Sequence, residues 1–265
     1  MKNKTLLFNT AAMAAVYLYA ENNMIETQTI IHKSNRVPHS FHGFTIVQVS
    51  DLHNKRFGRG QHNLIKKIKQ LNPDLIAVTG DIINKRCDNM ANALKLIEES
   101  VLLAPVYFCP GNHEEHFEKR GELYQAMSDL GVSILSNQCD TFTNLGDSIN
   151  IWGLANMDGY IPCLKKIRQC QQNSFNLVLS HRPDRFKLYV KSGGDLFLCG
   201  HAHGGQARIN GISLYAPGQG FFPSYAQGVF ARDNVAMVVS RGLGGSLIPQ
   251  RICNRPELVQ IILSK

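Results

Sequence analysis

Short apolar runs that each end in a polar cluster are the feature that most constrains how this chain can fold. Five runs have the length and composition of buried strands, and each is followed at once by Asp, Asn or His, with glycine beside three of the five clusters. Glycine lets the backbone turn tightly there and leaves space in front of the polar side chains. In chain order, the clusters are Asp51 and His53, Asp81, Asn112 and His113, His181, and His201 and His203.

The spacing of the clusters sets the fold class. In the first half of the chain, successive clusters start about thirty residues apart, which is enough for a strand and a crossover helix. Amphipathic helices are predicted over residues 61–71 and 88–100, between these strands. The first half is therefore predicted to form successive βαβ units with a parallel sheet.

The second half is richer in strands than the first. Strands are predicted at residues 133–135, 141–143, 148–154, 175–179, 195–199, 212–215, 235–240 and 258–263. The mixture predicts an α/β fold in which two mixed β-sheets pack together with helices outside. Because no long polar linker interrupts it, residues 24–265 are predicted to form a single domain.

Composition indicates a globular protein with an anionic partner. Hydrophobic residues make up 44% of the chain and charged residues only 18%, which argues against disorder. The formal charge of +8 favours a phosphorylated substrate, a membrane surface or a nucleic acid, without choosing among them. The seven cysteines are odd in number and lack CxxC spacing, which is typical of reduced thiols and predicts a domain on the cytosolic side.

Residues 1–23 have the pattern of a signal sequence, a membrane anchor or an ordinary helix. Lys2 and Lys4 precede an apolar stretch at residues 6–20, which falls short of the roughly 20 residues of a spanning helix. A large residue, Leu18, stands where a signal cleavage site needs a small one. Association with a membrane without cleavage is the favoured prediction, and basic residues on both sides leave the topology open.

The polar clusters are predicted to converge on one metal site, because ligands bind outside the carboxyl ends of the strands in open α/β sheets. Each residue has a simpler explanation by itself, as a helix cap, a turn former or an Asx turn. Those separate explanations would all have to apply at five strand ends, and they do not explain why polar residues recur at each of them. Carboxylates mixed with imidazoles suit divalent manganese, iron, zinc or cobalt, and one bridging carboxylate is the usual way to hold two such ions.

The same residues resemble, in order and in comparable spacing, the signature blocks of the calcineurin-like metallophosphoesterases. The blocks are Asp51-x-His53, Gly80-Asp81, Gly111-Asn112-His113-Glu114, His181 and Gly200-His201-x-His203. This resemblance covers about residues 44–206 and implies a four-layer αββα sandwich. The string from His203 to Gln206, with residues 216–220 and 251–257, is similar to a branch that contains membrane-associated phosphodiesterases and UDP-2,3-diacylglucosamine pyrophosphatases of lipid A synthesis.

The resemblance implies a role for each matched residue. It assigns one divalent cation to Asp51, His53, Asp81 and His203, and a second to Asp81, Asn112, His181 and His201. Asp81 would bridge the two cations, while His113 would contact the phosphate and help to protonate the leaving oxygen. Glu114 would orient His113.

Two positions depart from the family pattern. Many members carry a second acid three residues after the bridging Asp, where this chain has Asn84, and a hydrogen bond behind the ligands is expected to be weaker for it. Glu114 stands where Asp is commoner. Neither residue is a predicted metal ligand, so activity is expected to survive.

The leading hypothesis is a dinuclear metal-dependent phosphoesterase that cleaves a phosphodiester or pyrophosphate bond. Its expected substrate is small, phosphorylated and lipid-linked, similar to UDP-2,3-diacylglucosamine, with manganese favoured over iron, zinc, cobalt or magnesium. The alternatives are a nuclease or protein phosphatase of the same superfamily and a non-catalytic metal-binding scaffold, although no specific nucleic acid is expected. Peripheral membrane association through residues 1–23, on the cytoplasmic side, completes the hypothesis, and the sequence identifies no protein partner.

Two further loops carry weaker signals. Residues 241–245 are rich in glycine, but Pro249 rather than a helix follows, so a plain tight loop is favoured over a phosphate-binding one. Phe221 and Phe222 lie just past the last metal motif, and core packing is favoured over an apolar wall for a substrate.

Overall fold

Helices and strands alternate in the first half of the chain, as the apolar pattern predicts. The computed structural model describes residues 2–170, 174–245 and 249–265, with side chains from residue 9 onward. The α-helices are α1 Lys2–Asn23, α2 His62–Gln70, α3 Ala91–Val101, α4 Asn112–Glu115, α5 Arg120–Asp129, α6 Tyr160–Cys170 and α7 Phe186–Ser192. Single 3₁₀ turns lie at His39–Phe41, Arg59–Gln61, Pro183–Arg185 and His203–Gly205.

The strands form two large sheets and two small hairpins. The first sheet contains β1 Glu26–Lys33, β2 Thr45–Val49, β3 Leu75–Val78, β4 Val106–Phe108, β5 Ser133–Ile134 and β16 Glu257–Ser264. The second contains β6 Gln138–Asn144, β7 Asp147–Gly153, β8 Asn176–Leu179, β9 Leu196–Cys199, β14 Gly228–Arg232 and β15 Val235–Val239. The hairpins pair β10 Arg208–Ile209 with β11 Ile212–Ser213 and β12 Tyr215–Ala216 with β13 Gly220–Phe221.

Both large sheets are mixed, with parallel strands in the middle. The first has the order β1-β16-β2-β3-β4-β5, in which β16 and β2 are antiparallel and β2 to β5 are parallel. The second has the order β14-β15-β9-β8-β7-β6, in which β15, β9, β8 and β7 are parallel. Five of the parallel strands therefore end at the same side of the molecule: β2, β3, β4, β8 and β9.

Three buried clusters define the layers. One lies between the sheets and joins residues such as Ile46 and Leu75 of the first sheet to Leu177 and Leu198 of the second. Another packs the outer face of the first sheet on α2, α3 and α5, and the last packs the outer face of the second sheet on α6 and α7. The α/β fold with two packed mixed sheets flanked by helices is thus confirmed.

One strand and one loop differ from the sequence-based expectation. The strand β14 was not predicted from the sequence. Its five residues are mostly exposed and carry no strong apolar pattern, and they form a strand by pairing with β15. The prediction that Phe221 and Phe222 pack in the core is wrong, because 78% and 70% of these residues are exposed. They lie at and beside the β12–β13 hairpin, on the surface.

The helix α1 meets the rest of the protein through its last turn. Glu21 is buried, and Asn22 Oδ1 accepts a hydrogen bond from the backbone N–H of Arg251 at 2.8 Å. Residues 9–19 are exposed, among them Met13 and Tyr19. In the part of the chain that the structure describes, no helix has both the length and the apolar character to cross a membrane.

Candidate metal centre

Every predicted ligand lies directly after the end of a parallel strand. Asp51 and His53 follow β2, Asp81 follows β3, Asn112 follows β4, His181 follows β8, and His201 and His203 follow β9. Hydrogen bonds tie the strand ends of the two sheets together: His181 Nδ1 donates to Thr79 O at 2.8 Å, and His201 N donates to Asp51 Oδ1 at 3.1 Å. The structure thus brings all seven predicted ligands to one edge of the sandwich.

Atoms that could bind a metal gather in two adjacent groups. In the first, atoms of Asp51, His53 and His203 lie within 4.8 Å of one another, with His53 Nε2 and His203 Nε2 only 3.2 Å apart. In the second, the same limit holds for Asp81, His181 and His201.

The carboxylate of Asp81 lies between the two groups. Its Oδ2 atom is 3.2 Å from His181 Nε2 and 3.9 Å from His53 Nε2. A further group of the same kind joins His53 and Asp81 to His113. The position of Asp81 is the one that a carboxylate shared by two cations requires.

These contacts have the geometry of ligands that face a common cation. Atoms about 2.1 Å from one ion lie roughly 3.0–3.4 Å from each other, and the His53–His203 and His181–Asp81 separations are 3.2 Å. The Oδ1 atom of Asn112 is buried and has no hydrogen-bond partner in the described part of the chain, as an amide oxygen reserved for a metal would have none. The residues therefore fit two divalent cations.

Burial keeps most of the imidazoles neutral. It lowers the pKa of His53 to about 4 and that of His201 to about 3, and it holds the pKa of His203 well below its usual value. His181 is the exception: burial opposes its charge, but the neighbouring Asp81 carboxylate raises its pKa to about 9. A neutral imidazole offers the lone pair that a metal needs.

The pKa values of the two carboxylates are shifted in opposite directions. Burial raises the pKa of Asp51 to about 6, although His181 works against this. Burial also opposes ionisation of Asp81, but the surrounding imidazoles, above all His181, hold its pKa below the usual range. Asp81 is therefore the permanent negative charge at the middle of the centre.

Backbone strain is concentrated at the ligands. Positive φ angles occur at Asp51 (52°), His53 (49°), Asp81 (53°), His201 (67°) and His203 (50°), which are five of the seven predicted ligands. Each such residue costs about 1 kcal/mol or more in the left-handed region. The chain thus accepts a local cost to aim these side chains at one point.

Two glycines make the close approach of the strand ends feasible. A Cβ atom on Gly111 would lie 2.1 Å from Asp81 Oδ1, and one on Gly200 would lie 2.0 Å from Ser50 Oγ. Any side chain at either position would push a ligand loop aside. Glycine beside the ligands is therefore a packing requirement and not only a matter of turn geometry.

Comparison with known proteins identifies the family. A sequence model described as calcineurin-like phosphoesterase matches residues 44–205, which is more than half of the chain. The chain belongs to the calcineurin-like phosphoesterase family. It is accordingly a metal-dependent phosphoric ester hydrolase, and the family's dinuclear divalent metal centre corresponds to the clusters described above.

Several relatives of this phosphoesterase align over most of its length. The uncharacterized metallophosphoesterase YkuE of Bacillus subtilis is 29% identical, over 92% of this chain and 87% of its own. The phosphodiesterase YaeI of Escherichia coli is 28% identical, over 91% and 87%. The UDP-2,3-diacylglucosamine pyrophosphatase LpxG of Chlamydia muridarum is 25% identical, over 79% and 82%. The crystal structure of a dimetal phosphatase from Danio rerio shares the fold, with a TM-score of 0.51 and 12% identity over 76% of this chain and 88% of that one.

In this phosphoesterase, His113 faces the metal ligands through one nitrogen. Its Nε2 atom lies 4.0 Å from Asp81 Oδ2, while its Nδ1 atom accepts a hydrogen bond from the backbone N–H of Lys85 at 3.2 Å. An accepting Nδ1 places the proton on Nε2. Burial lowers the pKa of His113, which favours this neutral form.

The structure corrects the predicted contact between Glu114 and His113. The Glu114 carboxylate instead accepts backbone N–H groups from Asp81 (2.7 Å), Gly111 (2.9 Å) and Ile83 (3.2 Å). Glu114 therefore ties the loop after β3 to the start of α4. Burial raises its pKa to about 7, and these three hydrogen bonds oppose that shift.

Basic residues line the pocket in front of the ligands. Lys85 and Arg86 lie there, together with Asn84, Pro217 and Gly245. Asn84, the departure from the family pattern, accepts a hydrogen bond from Arg86 N at 3.0 Å and so closes a turn of the pocket wall. An open pocket with two cationic side chains suits a substrate with several negative charges.

The sequence interpretation missed Ser50. Its Oγ atom donates to Asp51 Oδ2 at 2.6 Å and so orients a predicted ligand from behind. The only signal for it is its place between an apolar strand and Asp51, which a serine in a turn would share.

Proposed function

We propose that this phosphoesterase is a dinuclear enzyme that cleaves a phosphodiester or pyrophosphate bond in a lipid-linked substrate. The observation that carries the proposal is the position of the Asp81 carboxylate between the two ligand groups, with its Oδ2 atom 3.2 Å from His181 Nε2 and 3.9 Å from His53 Nε2. Asp51, His53, Asp81 and His203 would hold one cation, and Asp81, Asn112, His181 and His201 the other. Manganese is the favoured ion, because mixed carboxylate, amide and imidazole ligands suit it.

The cations, when bound, would stabilise phosphoryl charge and supply an activated water. The protein's own contribution is to hold the ligands in one charge state and one direction. Asp81 Oδ1 accepts the backbone N–H of His113 at 2.8 Å, which leaves Oδ2 to face the cations. Ser50 does the same for Asp51 by donating to Oδ2.

His113 would act on the phosphate as a hydrogen-bond donor. Since its Nδ1 accepts from Lys85 N, the proton on Nε2 is directed at the centre, where it can reach a phosphoryl or leaving oxygen. To act as a full proton donor, His113 would first have to be protonated on both nitrogens, and a proton on Nδ1 would break the hydrogen bond from Lys85 N. We therefore propose that His113 stabilises the developing negative charge on the leaving oxygen.

Three observations support a diphosphate or diester substrate with a lipid. Lys85 and Arg86 supply positive charge next to the ligands, beyond what one phosphoryl group needs. The relative YaeI is a phosphodiesterase, and the relative LpxG is a UDP-2,3-diacylglucosamine pyrophosphatase. The exposed rings of Phe221 and Phe222 offer apolar surface on the hairpin that follows the β9 motif.

A substrate panel tests this proposal. The purified full chain, loaded with manganese, is assayed on a chromogenic diester, the matching monoester, UDP-2,3-diacylglucosamine, a phosphopeptide and a short oligonucleotide. We expect hydrolysis of the diester and of UDP-2,3-diacylglucosamine, with the lipid substrate preferred. Turnover of the phosphopeptide or the oligonucleotide alone would favour a protein phosphatase or a nuclease instead, and no turnover with any divalent metal would reject an enzymatic role.

We further propose that residues 1–23 attach the enzyme to the cytoplasmic side of a membrane, with residues 24–265 as the metallophosphoesterase domain. The exposed fractions of Met13 (66%), Val16 (69%) and Tyr19 (71%) support this, because α1 presents these apolar side chains to solvent. Vesicle flotation of a variant with all three replaced by Ser should show less bound protein. The matched control is Leu102→Ser, which alters an apolar residue that is 77% exposed on another element. Equal flotation of both variants and wild type would contradict the proposal.

A further inference from the structure

One segment behind the metal centre holds a ligand loop in place. Asn254 is fully buried, and its Nδ2 atom donates to the carbonyl oxygens of His203 at 2.7 Å and Gln206 at 3.0 Å. Both loop residues have positive φ angles, 50° and 61°. Because residues other than glycine persist in this conformation only when their surroundings hold them, Asn254 fixes the backbone that aims the His203 ring.

The loop and Asn254 are packed too closely for other side chains. A Cβ atom on Gly204 would lie 2.2 Å from Asn254 Oδ1, so the glycine and the asparagine depend on each other. Gly204 has a φ of 61°. The string from His203 to Gln206 therefore packs directly against the distant residues 251–257.

Arg251 supports the loop on the other side of the centre. It is buried, and its guanidinium donates to the carbonyl oxygens of Arg241 at 2.9 Å and Gly244 at 3.1 Å. The loop 241–245 in turn lies against Asp51, whose carbonyl oxygen accepts the N–H of Gly244 at 2.6 Å. The glycine-rich loop is therefore a wall behind a ligand, in line with the prediction of a tight loop.

The same segment receives the last turn of α1. Glu21 accepts hydrogen bonds from the backbone N–H of Asn254 at 3.0 Å and from Arg255 Nε at 2.9 Å. Asn22 accepts the backbone N–H of Arg251. The helix thus contacts the backbone of Asn254 through Glu21, while the ligand loop contacts the Asn254 side chain.

We propose that Asn254 is a positioning residue for the cation held by Asp51, His53 and His203, and that Glu21 of α1 keeps Asn254 in place. The inference rests on the proposed dinuclear site. Of the other cation's ligands, His181 is fixed from a different direction by donating to Thr79 O, and Asp81, which both cations would share, accepts the backbone N–H of His113. Loss of Asn254 should therefore affect one cation far more than the other.

Calorimetric titration of the full-length protein with manganese alone tests the proposal. Wild type should bind two ions, and Asn254→Ala should bind one of them about 10- to 100-fold more weakly while the other is unchanged. Hydrolysis of the chromogenic diester by the variant should recover at high manganese. The matched control is Asn176→Ala, which removes another fully buried asparagine, at the start of β8. It should lower the melting temperature but leave both affinities unchanged.

Two more variants separate positioning from folding. Asn254→Asp keeps the shape but cannot donate to the two carbonyl groups, so it should behave like Asn254→Ala; it also serves if the alanine variant does not fold. Glu21→Ala should weaken the same cation by a smaller factor, whereas Glu21→Gln, which retains an acceptor oxygen, should restore binding.

Each result supports or overturns the inference. Two unchanged manganese affinities in both Asn254 variants would overturn the positioning role, and equal weakening of both ions would overturn its selectivity. An effect in the Asn254 variants with none in Glu21→Ala would overturn the link to α1. Binding of two ions by wild type without hydrolysis of any phosphoester would reject the proposed function, yet leave the comparison of affinities intact.

Discussion

Two polar clusters lie at opposite ends of the same strands and differ in how their polar atoms are hydrogen-bonded. The strands β8 and β9 begin at a cluster of Arg36, Asn176 and Asp195 and end at the metal ligands His181 and His201. In the starting cluster, Asp195 accepts hydrogen bonds from Arg36 Nε and from Asn176 N, the latter at 2.7 Å. The amide oxygen of Asn176 in turn accepts the indole N–H of Trp152 at 2.9 Å.

At the other end, several buried polar atoms have no hydrogen-bond partner among the described residues, namely His53 Nδ1, His203 Nδ1, His201 Nε2 and Asn112 Oδ1. His53 Nε2 meets His203 Nε2 at 3.2 Å, and His201 Nδ1 meets His181 Nε2 at 3.1 Å. Buried donors that are matched to acceptors stabilise the fold. Lone pairs of buried nitrogen and oxygen atoms that converge on one point are instead suited to bind a cation. The difference predicts that mutations at the two ends will act on different properties.

The largest expected effect is on catalysis at the ligand end. Asp81→Ala removes the shared carboxylate, and loss of the several kcal/mol that metal ions contribute to the transition state should lower kcat/KM by about a thousandfold or more. Asp195→Ala removes a carboxylate that is equally buried, with 3% against 2% exposure, and should leave kcat/KM close to wild type at a temperature where it is folded. Steady-state kinetics on a diester compares them, and a similar loss in both variants would contradict the distinction.

A smaller effect is expected from the residue that faces the phosphate without binding metal. His113→Gln should lower kcat by roughly a hundredfold, the lower end of what a positioned proton or hydrogen-bond donor contributes. Its manganese content should equal that of wild type. His116→Gln changes an exposed histidine at the end of the same short helix and serves as the control. Loss of bound manganese in His113→Gln would show that His113 is a ligand and not a donor.

The starting cluster should determine stability instead. Asp195→Ala removes the carboxylate that accepts from Arg36 Nε and Asn176 N, which should lower the free energy of unfolding by about 2–4 kcal/mol. Asp195→Asn keeps one acceptor oxygen and should cost less. Urea denaturation in the absence of metal measures both values. An unfolding midpoint for Asp195→Ala equal to that of wild type would contradict the structural role.

The convergence of the predicted ligands could be predicted from the sequence because each of them directly follows an apolar run. An apolar run followed by Asp51 or His201 marks both the strand and the point where it ends, and parallel strands then bring those ends together. The starting cluster gave no such signal, since Arg36, Asn176 and Asp195 are ordinary polar residues whose pairing depends on chain segments far apart. The same limit applies to Glu114, whose contact with His113 was predicted from the family resemblance, whereas its carboxylate accepts backbone N–H groups of another loop.

The contacts made by residues 251–255 could not be predicted from the sequence either. Asn254 is 51 residues from His203 along the chain, and a single asparagine carries no periodic pattern that would reveal its contact. The exposed positions of Phe221 and Phe222 were mispredicted for a related reason. Apolar residues in a loop pack inward only if another element covers them, and sequence alone does not reveal whether one does.

The smallest expected effect is the coupling between the two ends. Asn176 and His181 are five residues apart, and Asp195 and His201 are six residues apart, so the clusters are roughly 16–20 Å apart along the strands. Mutational effects at that separation add within about 0.5 kcal/mol when no partner is shared. Manganese should therefore raise the free energy of unfolding by the same amount in wild type and in Asp195→Ala, as measured by urea denaturation with and without the metal. A difference above about 1 kcal/mol would mean that the strands transmit strain between the clusters, and the two ends would then have to be treated as one network.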